Sequence, residues 1–275
     1  MSAVGGAVFL ENVDRRVLGA FICVDALTGS SVTWPLAVSA PEWTVRPNRS
    51  GVYVIFDGPG LSALTTQLVP SGTWPPRVSF KVTLMDPNRR YLSRQATVLA
   101  PMTVPVIGSS PGGVVPNPAV TAALANPAAV FNPQRVSLYP QPSAAVGPNW
   151  STIHASVTNA ATGVGLPWAM LQVIRQSDNA VLATGQTDAN GEALLAVVGL
   201  TLQTSTSGTG PVTVSTTAAT VSVHFDPSVL SQPPGWIPNP DDILDNLSST
   251  TLVSGGQDVE LASGQELNLG FALTV

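Results

Sequence analysis

The chain is poor in the residues that run reactions. It has one cysteine, two histidines, three tyrosines and only 10% charged residues among 275. A single cysteine, Cys23, excludes an internal disulfide framework. It lies in the apolar run "LGAFICV" and reads as a small buried hydrophobe rather than a nucleophile. No uninterrupted apolar run reaches the length of a membrane-crossing helix. The stretch "MSAVGGAVFLENVDRR" has no basic residues ahead of its short apolar piece. A secretory signal is therefore not expected. The expectation is synthesis and retention in the cytoplasm, or release by a route that needs no signal peptide. A pI near 4.8 argues against general nucleic-acid binding.

What is abundant is Val, Thr, Ser and Ala, together with 25 Pro and 24 Gly. Proline and glycine at this density exclude long helices, and β-branched residues favour strands. Apolar runs with period two place strands near 17–25, 34–40, 51–57, 78–85 and 91–98 in the first half. In the second half they fall near 135–139, 151–158, 168–175, 180–186, 192–198, 212–225, 257–261 and 266–274. "VSFKVTL" sets Val78, Phe80, Val82 and Leu84 against Ser79, Lys81 and Thr83, as in a strand with one wet face. The middle of "VTVSTTAATVSVHF" has room for a bulge or hairpin. "NPDDILDNL" predicts a short helix near 240–247. Asn239 is its expected N-cap, Pro240 its first residue, and Asp241 and Asp242 sit at the positive end of its dipole.

Residues 101–133 are rich in proline and alanine and carry no charge. They read as an extended, semi-rigid linker that lies along a domain or a neighbouring subunit. The expected organisation is a β-sandwich at 1–100, a linker at 101–133 and a second sandwich at 134–275. The flanks echo one another. "ICVDALTGSSVTWPLAV" and "ASVTNAATGVGLPWAML" each run from a strand through Thr-Gly (Thr28-Gly29, Thr162-Gly163) to a Trp/Pro pair. "RPNRSGVYVIF" and "QTDANGEALLAV" each end a polar stretch in Gly before an apolar run. Two such echoes in the same order suggest a duplicated domain. Charge is divided as well. Residues 1–120 hold nine Arg or Lys against six Asp or Glu, and residues 121–275 hold two against ten. That asymmetry suits head-to-tail contact between copies, or two unequal solvated surfaces.

In "DANGE", Asp and Asn bond their own backbone and Gly191 supplies a positive φ, so 186–193 reads as a hairpin corner. A weak calcium site using Asp188, Asn190 and Glu192 is the alternative, but the remaining ligands of a calcium loop are missing. "ATGQTDANGEALLAV", preceded by "ASVTNAATGVGLPWAMLQV", resembles the carboxypeptidase-regulatory-like group of transthyretin-type, Ig-like sandwiches. The resemblance rests on Thr187, Asp188, Asn190 and Gly191. The first half, with Asn48, Ser50 and Gly51, matches it less closely. It implies antiparallel sandwiches in tandem, of a kind used as supports, stalks and docking units. With the Pro/Ala-rich linker read from composition, the expectation is an all-β protein of two such sandwiches. The resemblance implies no activity. The hydroxyisourate hydrolases of related fold end in Tyr-Arg-Gly-Ser, and this chain ends "GFALTV". The intradiol dioxygenases need a close His pair beside two Tyr. Tyr53, Tyr91 and Tyr139 are present, but His154 and His224 stand 70 residues apart.

No G-x-S-x-G elbow and no P-loop occurs, so no catalytic residue, metal ligand or cofactor is expected. Arg89, Arg90, Tyr91 and Arg94 form the one basic cluster and are the candidate partner-binding residues. Trp34, Trp43, Trp74, Trp150, Trp168 and Trp236 stand in turns or beside proline, as sugar-binding or edge-packing residues do. The expectation is a non-enzymatic structural component of a large particle, such as a phage tail or contractile injection system. Its partners would be other subunits or further copies of itself, with no nucleic acid and no membrane insertion. An adhesive or carbohydrate-binding module is the alternative.

Overall fold

The computed structural model describes residues 17–61, 76–102, 129, 132–200 and 216–275. Fourteen strands dominate these residues. In the first half they are β1 (Gly19–Asp25), β2 (Ala37–Ser39), β3 (Thr44–Pro47), β4 (Val52–Asp57), β5 (Val78–Met85), β6 (Arg94–Ala100) and β7 (Gln134–Leu138). In the second half they are β8 (Ser151–Asn159), β9 (Met170–Arg175), β10 (Val181–Gln186), β11 (Glu192–Val197), β12 (Thr217–Phe225), β13 (Val253–Leu261) and β14 (Glu266–Leu273). Two short helical turns lie between β12 and β13, a 3-10 turn at Pro227–Ser231 and the α-helical turn α1 (Asp241–Leu244). The all-β reading holds, and most predicted strands lie within a few residues of their place. The part of 212–225 before residue 216 and Trp74 lie outside the described residues. Thr217–Phe225 is one continuous strand, not a hairpin. β3 was not expected: "TVRP" is short and contains a proline.

Two hydrophobic cores organise the strands. In the N-terminal core, the sheet β3-β4-β1-β7 faces the sheet β2-β5-β6. Phe21, Tyr53, Ile55, Val82, Leu84, Val98 and Leu138 fill the space between them. Phe80, Val82 and Leu84 are buried as their alternation requires and Lys81 is exposed, but Val78, expected on the same face, is exposed at the start of the strand. Phe21 stacks on Tyr53 at 5.0 Å, and Trp43 lies on Phe80 at 3.8 Å. In the C-terminal core, β10-β9-β12-β13 faces β11-β8-β14 around Ile153, Val157, Leu171, Leu195, Val221 and Phe225. Each fully buried Val, Leu or Phe of these layers contributes roughly 1.5–3 kcal/mol through removal of apolar surface from water.

The cores share one topology. β1 pairs antiparallel with β4 and parallel with β7. β8 pairs antiparallel with β11 and parallel with β14. In the facing sheets, β5 sits between β2 and β6 as β12 sits between β9 and β13. The turn after β1 is closely repeated after β8. Asp25 Oδ1 accepts from Leu27 N–H at 2.7 Å, and Asn159 Oδ1 accepts from Ala161 N–H at 2.8 Å. Gly29 N–H donates to the Asp25 carbonyl, and Gly163 N–H to the Asn159 carbonyl, both at 2.8 Å. Both glycines have φ near +70°, the left-handed region that Gly adopts without steric cost.

This topology corrects the expected boundaries. Strand β7, assigned from sequence to the second sandwich, is the closing strand of the first: Val136 and Leu138 are buried in the N-terminal core. Residues 101–133 therefore do not link the cores. Both flanking strands, β6 and β7, belong to the same core. The Gln134 side chain ties them, accepting from Leu99 N–H and donating to the Leu99 carbonyl, each at 2.9 Å. Most of the proline-rich stretch lies outside the described residues. The chain passes between the cores at 139–150, where Pro140 bridges to Tyr91.

The 186–193 hairpin is corrected too. The turn forms as expected: Asp188 Oδ1 accepts from Asn190 N–H (2.7 Å) and Glu192 N–H (3.0 Å), and Gly191 has φ +82°. Yet β10 pairs with β9 and β11 pairs with β8, so the turn carries the chain from one sheet to the other. Thr187 fixes the crossing. Its hydroxyl donates to the Leu166 carbonyl (2.9 Å) and accepts from Ala169 N–H (2.8 Å).

Candidate functional site

A third apolar cluster joins the two cores. Leu92 and Tyr139 from the first half meet Met170 and Ile243 from the second, with Ala26, Trp168, Leu244 and Leu247 around them. Beside this seam lies Arg94, only 1% exposed. It is the first residue of β6 and shares a face with Ala96, Val98 and Ala100, all buried. Strand phase thus turns a guanidinium inward, where each of its donors needs an acceptor.

The seam supplies them. Nε donates to the Gln95 carbonyl at 2.9 Å, Nη1 to the Ser137 carbonyl, and Nη2 to Asp241 Oδ2 and, at 3.4 Å, Asn239 Oδ1. The guanidinium carbon stands 5.9 Å from the Tyr139 ring centroid. One cation therefore touches β6, β7 and α1, drawn from both halves. Gln95 N–H adds a bond to the Pro238 carbonyl at 2.6 Å. Burial pushes the Tyr139 phenol up to about 12, so it stays neutral.

Asn239 departs from its expected role. The position before the helix is Pro240, and the Asn239 side chain makes no cap bond to the helix backbone. It spans the seam instead, donating to Thr97 Oγ1 (3.3 Å) and Asp242 Oδ1 (2.7 Å) while accepting from Arg94. The polar residues of "NPDD" serve the contact with β6 as much as the helix start.

The basic cluster 89–94 is divided by the fold. Arg89 and Arg90 are exposed, on the turn between β5 and β6. Arg94 is enclosed, and its hydrogen bonds all stay within the chain. Tyr91 is 6% exposed, stacks on Trp34 at 5.8 Å and donates from its hydroxyl to Asp25 Oδ2 at 2.8 Å. Burial and then the Asp25 carboxylate raise its pKa. The Arg90 guanidinium lies 5.0 Å from the Trp34 ring centroid. Of the four candidates, Arg89 and Arg90 remain available to a partner at the surface.

Next to them is a groove of about 380 Å³, lined in part by Asp25, Trp34, Arg90, Tyr91, Pro140 and Trp150. The Trp34 indole N–H is buried with no hydrogen-bond partner. A wider, more open groove of about 570 Å³ crosses the outer face of β8 and β14, where His154 Nε2 stands 3.5 Å from Glu266 Oε1. His224 is on β12, in the other sheet, with Nδ1 3.0 Å from Ser254 Oγ. The two histidines are thus on separate sheets, as single residues of partly exposed faces. Cys23 is fully buried, and desolvation pushes its thiol up to about 12, the opposite of an activated nucleophile.

Asp188, Asn190 and Glu192 come together in the crossing turn. The Asp188 carboxylate is occupied there: Oδ1 by two backbone N–H groups and Oδ2 by the Asn190 amide at 3.2 Å. Among the described residues, no group of three or more His, Cys, Asp or Glu is placed to hold a metal ion. No described helix is long and apolar enough to cross a membrane. The five described tryptophans, Trp34, Trp43, Trp150, Trp168 and Trp236, are half-buried, with Trp43 packed on Phe80 and Trp168 in the seam.

No protein-family model matches this sequence, and no curated protein matches it.

Proposed function

We propose that this protein is a non-enzymatic building block, a rigid pair of sandwiches that supplies shape and surface to a larger protein assembly. The observation that carries the reading is the seam around Arg94. A buried cation held by groups from both halves fixes one arrangement of the cores, because moving them apart leaves an unpaired charge. The most distinctive polar residues, Arg94, Tyr91, Asp25 and Asn239, bond to one another or to nearby backbone. A tail, baseplate, fibre or decoration piece of a phage-like or contractile injection particle is the setting proposed, by analogy of fold. The transthyretin-type kinship proposed from the "TDANG" turn points the same way. Density-gradient fractionation of native lysate, with immunogold electron microscopy, tests it. The chain is expected in a large particle at fixed positions. Recovery only as a free, unassembled chain would refute the reading.

A carbohydrate-binding module is the second reading. It is favoured by the groove that Trp34 and Trp150 share with Asp25 and Arg90, since aromatic faces flanked by polar groups suit sugar rings. A glycan array separates the two: micromolar binding lost in Trp150→Ala supports the module, and a blank array removes it.

A further inference from the structure

We infer that copies of this chain associate head to tail, the β3 edge of one copy meeting the β13 edge of the next. With the first core running to Leu138, residues 1–139 hold ten Arg or Lys against six Asp or Glu, and residues 140–275 hold one against ten. The division of charge is sharper along the true structural boundary than along the proline-rich stretch. The single cation of the second half, Arg175, is bound by Asp178 through two hydrogen bonds of 2.9 and 2.7 Å. The remaining carboxylates of that half have no lysine or arginine of their own core to face.

The edges of the sheets carry these charges. β3 is outermost in its sheet, and no described strand pairs with its far side. It presents Arg46, exposed, and leads into the turn bearing Arg49, exposed as well. Of the acids nearby, Glu42 precedes the strand, and Asp57 accepts from Gly58 N–H at 2.8 Å. Among the described residues, β13 is outermost in the opposite core and pairs with β12 alone. Its exposed side chains include Asp258 and Glu260, and Gly255 and Gly256 keep the strand slim. Asp258 also accepts from Thr220 Oγ1 at 2.7 Å, which holds the carboxylate on the outer face.

Open edges ordinarily carry like charges that block pairing. Here the two edges carry opposite signs. Two β13 edges repel, and so do two β3 edges, so a two-fold contact is disfavoured on both. A β3 edge and a β13 edge attract. A contact between two different patches of one chain is heterologous and propagates, closing into a ring or extending as a filament. The attraction acts over roughly 10 Å at 0.1 M salt, so it operates at contact and weakens as salt rises.

Sedimentation velocity on the full chain, at about 20 mM and about 500 mM salt, tests this. Concentration-dependent association is expected at low salt and at least roughly tenfold weaker association at high salt. Two charge-reversed variants follow, Asp258→Lys with Glu260→Lys, and Arg46→Glu with Arg49→Glu. Each alone carries like charges on both edges and is expected to be monomeric, with the wild-type circular dichroism spectrum. Mixed together, the two variants complement each other at every contact, and association is expected to return. A wild-type chain that stays monomeric at low salt overturns the inference. So do reversed variants that associate as the wild type does, or a mixture that stays dissociated. A monomeric chain still found in a particle would overturn the self-contact alone and leave the building-block reading standing.

Discussion

The two cores solve one folding problem with different accessories. Both place a first strand between an antiparallel and a parallel neighbour, and both cover it with a three-strand antiparallel set. They differ in three places. A second Asx turn follows in each core, where Asn48 Oδ1 accepts from Ser50 and Val52 N–H as Asp188 Oδ1 accepts from Asn190 and Glu192 N–H. The strand before it joins the first sheet in the N-terminal core, as β3 beside β4, but the facing sheet in the C-terminal core, as β10 beside β9. The crossing to the last strand is the stretch 101–133 in one core and the four residues 262–265 in the other. Net charge has opposite sign. What is shared is set by turns whose side chains bond their own backbone. What differs lies at edges and connections, where a change disturbs few buried groups.

The largest expected effect comes from breaking what joins the cores. Arg94→Met removes the cation and leaves Asp241, Asn239 and the Ser137 carbonyl without their donor. A loss of about 3 kcal/mol is expected in urea denaturation, with a single transition separating into two. A variant that unfolds in one transition at the wild-type midpoint would show that the seam does not couple them.

The shared turns give a matched pair of smaller effects. Gly51 has φ +76° and Gly191 has φ +82°. A Cβ would stand 2.7 Å from the Val32 carbonyl oxygen in one and 2.5 Å from the Val157 carbonyl oxygen in the other. Gly51→Ala and Gly191→Ala should each cost about 1–3 kcal/mol, measured by thermal denaturation. Similar losses sharpen the equivalence of the cores, and a neutral Gly51→Ala would break it.

Replacing residues 103–128 with a short Gly-Ser bridge should cost less than about 1 kcal/mol by denaturant midpoint, because loop length enters stability only logarithmically. The C-terminal core already makes the same crossing in four residues. Loss of the folded N-terminal core on this replacement would show that the crossings are not equivalent.

The smallest effect is one of pH. Burial lowers the pKa of His224 in the folded chain, so the unfolded chain binds the proton more readily. Its contribution is fully present above the unfolded value of about 6.5 and declines as pH falls below it. His224→Gln should flatten that part of the stability–pH curve, as followed by urea midpoints between pH 5 and 8.

Much of this was readable in the residues. Period-two alternation located Val78–Met85 and Thr217–Phe225, and Asp, Asn and Gly located the turns, because those signals are local. The partner of β7 was not readable. Its pairing with β1 spans more than a hundred residues, and the composition break at 101–133 imitates an inter-domain linker. The sheet switch at 187–191 was hidden for a related reason: an Asx turn serves a hairpin and a crossing alike, and only the Thr187 bonds to Leu166 and Ala169 distinguish them. The inward turn of Arg94 did have a signal. Arg94, Ala96, Val98 and Ala100 occupy one strand face, but the neighbouring Arg89 and Arg90 made the segment resemble a basic surface.

Native-state amide hydrogen exchange at Val136 and Leu138 tests the central claim most directly: that one sandwich topology occurs twice, with β7 completing its first copy. These amides should open together with those of β1 and β4, at the same free energy, and independently of β8 and β11 in the Arg94→Met chain. If they opened with β8 and β11 instead, the first sandwich would end before β7, and the account of two equivalent cores would be contradicted.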